Sequence, residues 1–89
     1  MANHKSALKR VRQSEQRRIR NRATMSEMRT AIKKYRQFLD ESQAEEAEKA
    51  LPGIYAVIDR TWRKGVIHAN TAARYKSRLA RALKSLRAQ

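Results

Sequence analysis

Met25-Ser26-Glu27-Met28-Arg29-Thr30-Ala31-Ile32-Lys33-Lys34-Tyr35-Arg36-Gln37-Phe38-Leu39 is the stretch that decides the fold. Its large apolar residues, Met25, Met28, Ile32, Tyr35 and Leu39, are separated by steps of three and four. That is the spacing of one face of an α-helix, and it predicts a helix packed along that seam. Traced backwards in the same register, the seam passes through Asn21, Arg18 and Ser14 to Val11 and turns polar. One helix over Ser6–Glu41 therefore has a second half that can pack and a first half with almost nothing to bury. At about 1.5 Å per residue it is roughly 50 Å long and projects beyond its own domain.

Working outward, Ser42-Gln43-Ala44-Glu45 has the pattern of a capping box opening a second helix, with Ser42 as the cap. Glu45, Glu46 and Glu48 then suit the positive end of that helix's dipole and require no catalytic role. An apolar stripe continues through Ala47, Leu51, Ile54, Ile58 and Trp62. It passes Pro52 in phase, which favours one kinked helix over two separate ones. Gly65 is placed to end this helix as a left-handed cap, with Val66 to Ala69 as the turn. A third helix starts near Asn70, a good capping residue, with Ala72, Tyr75, Leu79, Ala82, Leu83 and Leu86 on its apolar face. Nothing alternates like a strand. The expected fold is all-α, a three-helix up-down-up bundle over residues 25–89, with residues 1–24 forming a projecting arm.

Charge bounds the function. The 89 residues include 22 Lys+Arg and 8 Asp+Glu, net +14. Residues 1–36 hold 12 basic and 2 acidic groups, residues 37–61 hold 2 and 6, and residues 62–89 hold 8 and none. Helices one and three form a cationic front and helix two an acidic back. A chain this basic points to nucleic acid. It has no cysteine, which removes disulfides and thiolate chemistry. Met1 to Lys5 lacks the apolar run of a signal peptide, and Ile54 to Ile58 is too short to span a bilayer. Neither His4 nor His68 has a second ligand at metal spacing. There is no glycine-rich phosphate loop and no H-E-x-x-H motif, so no cofactor, small-molecule substrate or enzymatic activity is expected.

The arm cations Lys5, Lys9, Arg10, Arg12, Arg17, Arg18, Arg20 and Arg22 fall all round the helical wheel. Such a rod suits a crevice between several phosphate walls better than one flat surface, and arginine adds bidentate phosphate contacts. Asn3, His4, Ser6 and Asn21 are polar groups among these cations and suit sugar or phosphate contact. Residues 1–34 contain no phenylalanine, tyrosine or tryptophan, so the arm lacks the large aromatic platforms on which single-stranded bases stack. Its contacts position rather than read sequence. Lys33 and Lys34 extend the cationic surface. In the third helix and its approach, Lys64, His68, Asn70, Arg74, Lys76, Ser77, Arg78 and Arg81 are the candidate RNA contacts. His68 is equally suited to a structural role at the turn, and Ser77 to bonding its own helix carbonyl. Trp62 and the tyrosines Tyr35, Tyr55 and Tyr75 favour packing, Trp62 in the core or at its edge.

Ala2-Asn3-His4-Lys5-Ser6-Ala7 with Lys9-Arg10, and Arg29-Thr30-Ala31-Ile32-Lys33-Lys34, resemble the S-twenty family of bacterial small-subunit ribosomal proteins. The most specific match is Lys64-Gly65-Val66-Ile67-His68-Ala69-Asn70-Thr71-Ala72-Ala73-Arg74-Tyr75-Lys76-Ser77-Arg78-Leu79. The resemblance covers essentially the whole chain. It implies a three-helix bundle with a long first helix, cytoplasmic and in the ribosome. It also implies binding to small-subunit ribosomal RNA low in the body, between the 5′ domain and the long helix near the 3′ end. Other small-subunit proteins would be met mostly through the RNA, and no membrane is involved. Ala69 and Thr71 stand where relatives often carry lysine, and Pro52 is outside the family pattern. The rival readings are a general DNA-coating protein, a lipid-binding amphipathic protein and a helical adaptor using the acidic middle.

Overall fold

The computed structural model describes the backbone from Ala2 to Gln89 and side chains from Lys5 onward. Its three helices are α1 (Ala2–Asp40), α2 (Ala44–Arg63) and α3 (Ala69–Ala88), and no strand is present among the described residues. The molecule is elongated, 68 × 21 × 15 Å, because α1 runs well past its neighbours. Packing follows the chain: α2 lies against both α1 and α3, while α1 and α3 barely meet.

The core holds the seam of the first helix. Met28, Ile32 and Tyr35 from α1 are buried with Ala47, Ile54 and Ile58 from α2 and Ala72, Leu79 and Leu83 from α3. Met25 and Leu39 flank them. Tyr35 joins the two helices that share little contact: its hydroxyl donates to the Leu79 carbonyl at 2.7 Å. Burial raises the Tyr35 phenol above its ordinary pKa, Tyr55 adds to this, and Arg87 opposes it.

Two expectations change, at Ala82 and at the capping box. Trp62 lies at the edge of the core, one of the two packing positions expected of it, 43 % exposed, while Thr61 is buried beside it. Thr61 is accommodated because its hydroxyl donates back to the Val57 carbonyl at 2.8 Å, satisfying a polar group that would otherwise be costly to bury. Ala82, expected on the apolar face of α3, is exposed. The capping box does not form. Gln43 is the N-cap of α2 and makes no side-chain cap bond, while Ser42 adopts φ 58°.

The turn chemistry explains the last difference. Ser42 N–H donates to the Leu39 carbonyl (3.0 Å) and Gln43 N–H to the Phe38 carbonyl (2.8 Å). These are the paired bonds of a Schellman motif closing α1, and they place Ser42 in the left-handed position usually given to glycine. The same pair recurs at the end of α2: Gly65 N–H donates to the Trp62 carbonyl (2.8 Å) and Val66 N–H to the Thr61 carbonyl (3.1 Å). Gly65 has φ 76°, as expected of a left-handed cap. Helix α3 begins slightly before Asn70. His68 is its N-cap, with Nδ1 accepting from the Asn70 N–H at 3.1 Å. Pro52 lies inside α2, which runs through it as one helix.

Candidate RNA interface

From Lys5 to Ala23 every side chain of α1 is exposed; burial begins at Thr24. The arm is thus a bare helix, and none of its cations from Lys5 to Arg22 is ion-paired among the described residues. Asn3 and His4 lie on the helix, but their side chains are outside the described residues.

The base of the arm passes the α2–α3 turn, and two grooves form there. One, of about 840 Å³, is lined by Arg17, Arg18, Asn21, Arg22, Arg29 and Lys33, with Val66 from the turn. The other, of about 620 Å³, is lined by Arg17, Arg20, Asn21, Thr24 and Glu27, with Lys64 from the turn. The tight geometry at Gly65 is what sets Lys64 and Val66 beside α1. Residues more than forty positions apart in sequence therefore share a cationic surface, with Arg17 and Asn21 common to both grooves. Lys5, Lys9, Arg10 and Arg12 continue it outward along the exposed arm, as does Ser6.

A separate notch of about 100 Å³ lies on α3, lined by Thr71, Arg74, Tyr75 and Arg78. Thr71 and Tyr75, outside the contacts expected from the sequence, share this notch with Arg74 and Arg78 because the spacing places all four on one helical face. Arg29 and Thr30 also line the larger groove, in the same helical register as Lys33.

Other candidates are placed differently. Lys34 faces a groove between α1 and α2, with Phe38, Glu46 and Lys49, away from the arm. Lys76 is half-buried, pairs with Asp59, and lies 5.7 Å from the Tyr55 ring centroid. The Tyr55 hydroxyl donates to the Lys76 carbonyl at 3.3 Å, so Lys76 ties α3 to α2. Ser77 and Arg81 are exposed on α3. His68 has the structural role at the turn described above.

At the opposite end from the arm, Asp40, Glu41, Glu45, Glu46 and Glu48 are exposed around the α1–α2 corner. Arg87 bonds Glu48 there and draws its carboxyl below the usual range, while Glu48 holds the Arg87 guanidinium up. Arg60 and Glu27, 3.5 Å apart, link α2 to α1 on the surface. Among the described residues, no group of His, Asp and Glu is arranged to hold a metal ion. Among the described residues, no helix is long and apolar enough to cross a membrane.

The profile of the family described as Ribosomal protein S20 matches residues 2–84. The chain belongs to the ribosomal protein S20 family. Among relatives, the small ribosomal subunit protein bS20 of Dictyoglomus turgidum is 47% identical over 83 residues, covering 93% of this chain and 89% of that protein. The bS20 of Koribacter versatilis is 45% identical over 85 residues, covering 96% of each chain. That of Desulforapulum autotrophicum is 51% identical over 83 residues, covering 93% and 99%. The S20 family is one of structural ribosomal proteins and not of enzymes.

Proposed function

We propose that this chain is a structural component of the small ribosomal subunit that binds its ribosomal RNA directly and bridges RNA helices of the body during assembly. The observation that carries this reading is the bare arm. A helix with 8 cations between residues 5 and 22 and one acid buries nothing against its own bundle. Lys and Arg there displace counterions from phosphates, which makes affinity strongly salt-dependent. The arm enters a crevice walled by RNA. The grooves at its base, with Lys33 and Lys64, seat phosphates where the rod meets the bundle, and Arg74 and Arg78 on α3 offer a second point of attachment. Two attachments on one rigid body hold two RNA helices at a fixed separation. The ligand is the RNA alone, with no cofactor or small molecule, and neighbouring proteins are met mostly through it. The site of action is the ribosome, in the cytoplasm.

The test replaces Arg17, Arg18, Arg20 and Arg22 with glutamine and measures binding to small-subunit ribosomal RNA across a salt series. At about 0.7 to 0.9 in slope per phosphate, four lost contacts flatten log K against log salt by about 3. Affinity at physiological salt falls by about 100-fold or more, and melting of the bundle stays unchanged. Unaltered affinity would refute the arm's role.

A further inference from the structure

The arm is not uniformly cationic. Leu8, Val11 and Ile19 are 56 %, 56 % and 63 % exposed, the most exposed large aliphatic residues of the described chain. At about 100° per residue they fall within about 80° of one another, and Glu15 falls between them. Glu15 is the only carboxylate between residues 5 and 23 and has no ion-pair partner among the described residues. On the same wheel Leu8, Glu15 and Ile19 lie roughly opposite Met28 and Tyr35, so they face away from the bundle, while Val11 stands at the edge of the stripe nearest the polar continuation of the seam. Lys9 and Arg12 flank it on one side and Arg18 on the other.

Resting on the RNA-binding role proposed above, we infer that this stripe seats in the shallow minor groove of a double-stranded RNA segment, with Glu15 accepting hydrogen bonds from ribose 2′-hydroxyls. The A-form minor groove is wide and displays sugars and 2′-hydroxyls between two phosphate strands. An apolar strip between two cationic margins matches that cross-section. Leu8, Val11 and Ile19 cover sugar faces, and Lys9, Arg12 and Arg18 reach the phosphates on either side. A carboxylate directed at phosphate is repelled, whereas in the middle of this groove it meets donors. Leu8 and Ile19 are about 16 Å apart along the axis, so the contact spans several base pairs. Other occupants fit less well. A second copy would bring two arms of like charge together. A lipid surface has no use for a carboxylate in the middle of the apolar strip. A basic protein would satisfy Glu15 but be repelled at both margins.

Glu15→Lys separates this reading from simple charge attraction. If the stripe faces phosphates, the added cation tightens binding to small-subunit ribosomal RNA. The groove seating requires the reverse, a loss of about threefold or more despite the gain in positive charge. Tighter binding would overturn the inference. The occupant is identified with a photo-crosslinking p-benzoylphenylalanine in place of Val11 in assembled small subunits. Crosslinks to riboses of paired nucleotides support the proposal; crosslinks to a ribosomal protein or a second copy of this chain overturn it. The RNA-binding role itself fails only if the four-arginine variant binds as well as wild type, so the two failures are distinguishable.

Discussion

The two halves of α1 share one helix and differ in nearly everything else. From Thr24 to Asp40 the helix is held by its neighbours, with Met28 and Tyr35 fully buried. From Lys5 to Ala23 it touches no neighbouring helix closely enough to cover a side chain. Most helical stability in proteins comes from packing of an apolar face rather than from propensity. Within the chain, the first half therefore draws its order from helix propagation out of the bundle, and on the function proposed above from the RNA around it. One element can serve as scaffold at one end and ligand probe at the other, provided the core is confined to one of them.

The sharpest way to break this contrast is a matched pair of truncations. Met28→Ala removes a fully buried side chain and is expected to cost about 2 to 5 kcal/mol. Leu8→Ala, at a position 56 % exposed, should change stability by less than about 0.5 kcal/mol. Urea denaturation of both variants checks this. A comparable loss at Leu8 would mean that the arm packs on the bundle in solution.

Tyr35→Phe comes next. It removes the bond to the Leu79 carbonyl and should cost about 1 kcal/mol at neutral pH. The folded chain holds the Tyr35 proton more tightly than the unfolded chain does, since burial raises the phenol above its ordinary 10.0. Its contribution is therefore complete below about pH 10 and is lost as pH rises through the folded value. Melting measured from pH 8 to 11 should show a shallower alkaline decline in the variant.

The two turns offer a smaller test. Gly65→Ala puts a side chain at φ 76°, and Ser42→Gly removes one at φ 58°. The first should cost about 1 kcal/mol and the second gain up to about 1 kcal/mol. Equal and negligible effects in thermal melts would show that neither turn is strained. The smallest effect belongs to Glu48→Gln at the acidic corner. Arg87 holds the Glu48 carboxyl low, so the pair stabilises the fold above the ordinary carboxylate range and is lost as pH falls through the folded value. The variant should melt nearly as wild type at pH 7 and show a slightly flatter acid limb.

How much of this was legible in the sequence depended on whether one local pattern had one local solution. The seam from Met25 to Leu39 did, because steps of three and four over that length match only a helix face. Gly65 did as well, since few other residues accept its conformation. Ser42-x-x-Glu45 did not. The same letters satisfy a capping box and a left-handed closing turn, and the bonds from Ser42 and Gln43 back to Leu39 and Phe38 decided for the turn. Thr61 drew no expectation from the apolar pattern, yet it is buried because its hydroxyl bonds its own helix, while the larger indole of Trp62 sits at the edge. The cationic arm was readable from the placement of charge along the chain and from the seam that turns polar before Met25. The grooves at its base were not, since Lys64 and Val66 reach α1 only through the tertiary fold. Lys76 could not be told from its exposed neighbours without Asp59, seventeen positions earlier, being seen beside it.

The uninterrupted course of α1 from Ala2 to Asp40 couples its ends like the two cranks of one shaft. A single residue inserted near Ala23 would leave each half locally intact, yet rotate the tip by about 100° and advance it by about 1.5 Å. Every cation beyond the insertion would then point in a different direction relative to the bundle. On such a shaft the spacing between the two halves carries as much information as the residues in either, and length variation is better tolerated at the free ends than in the middle.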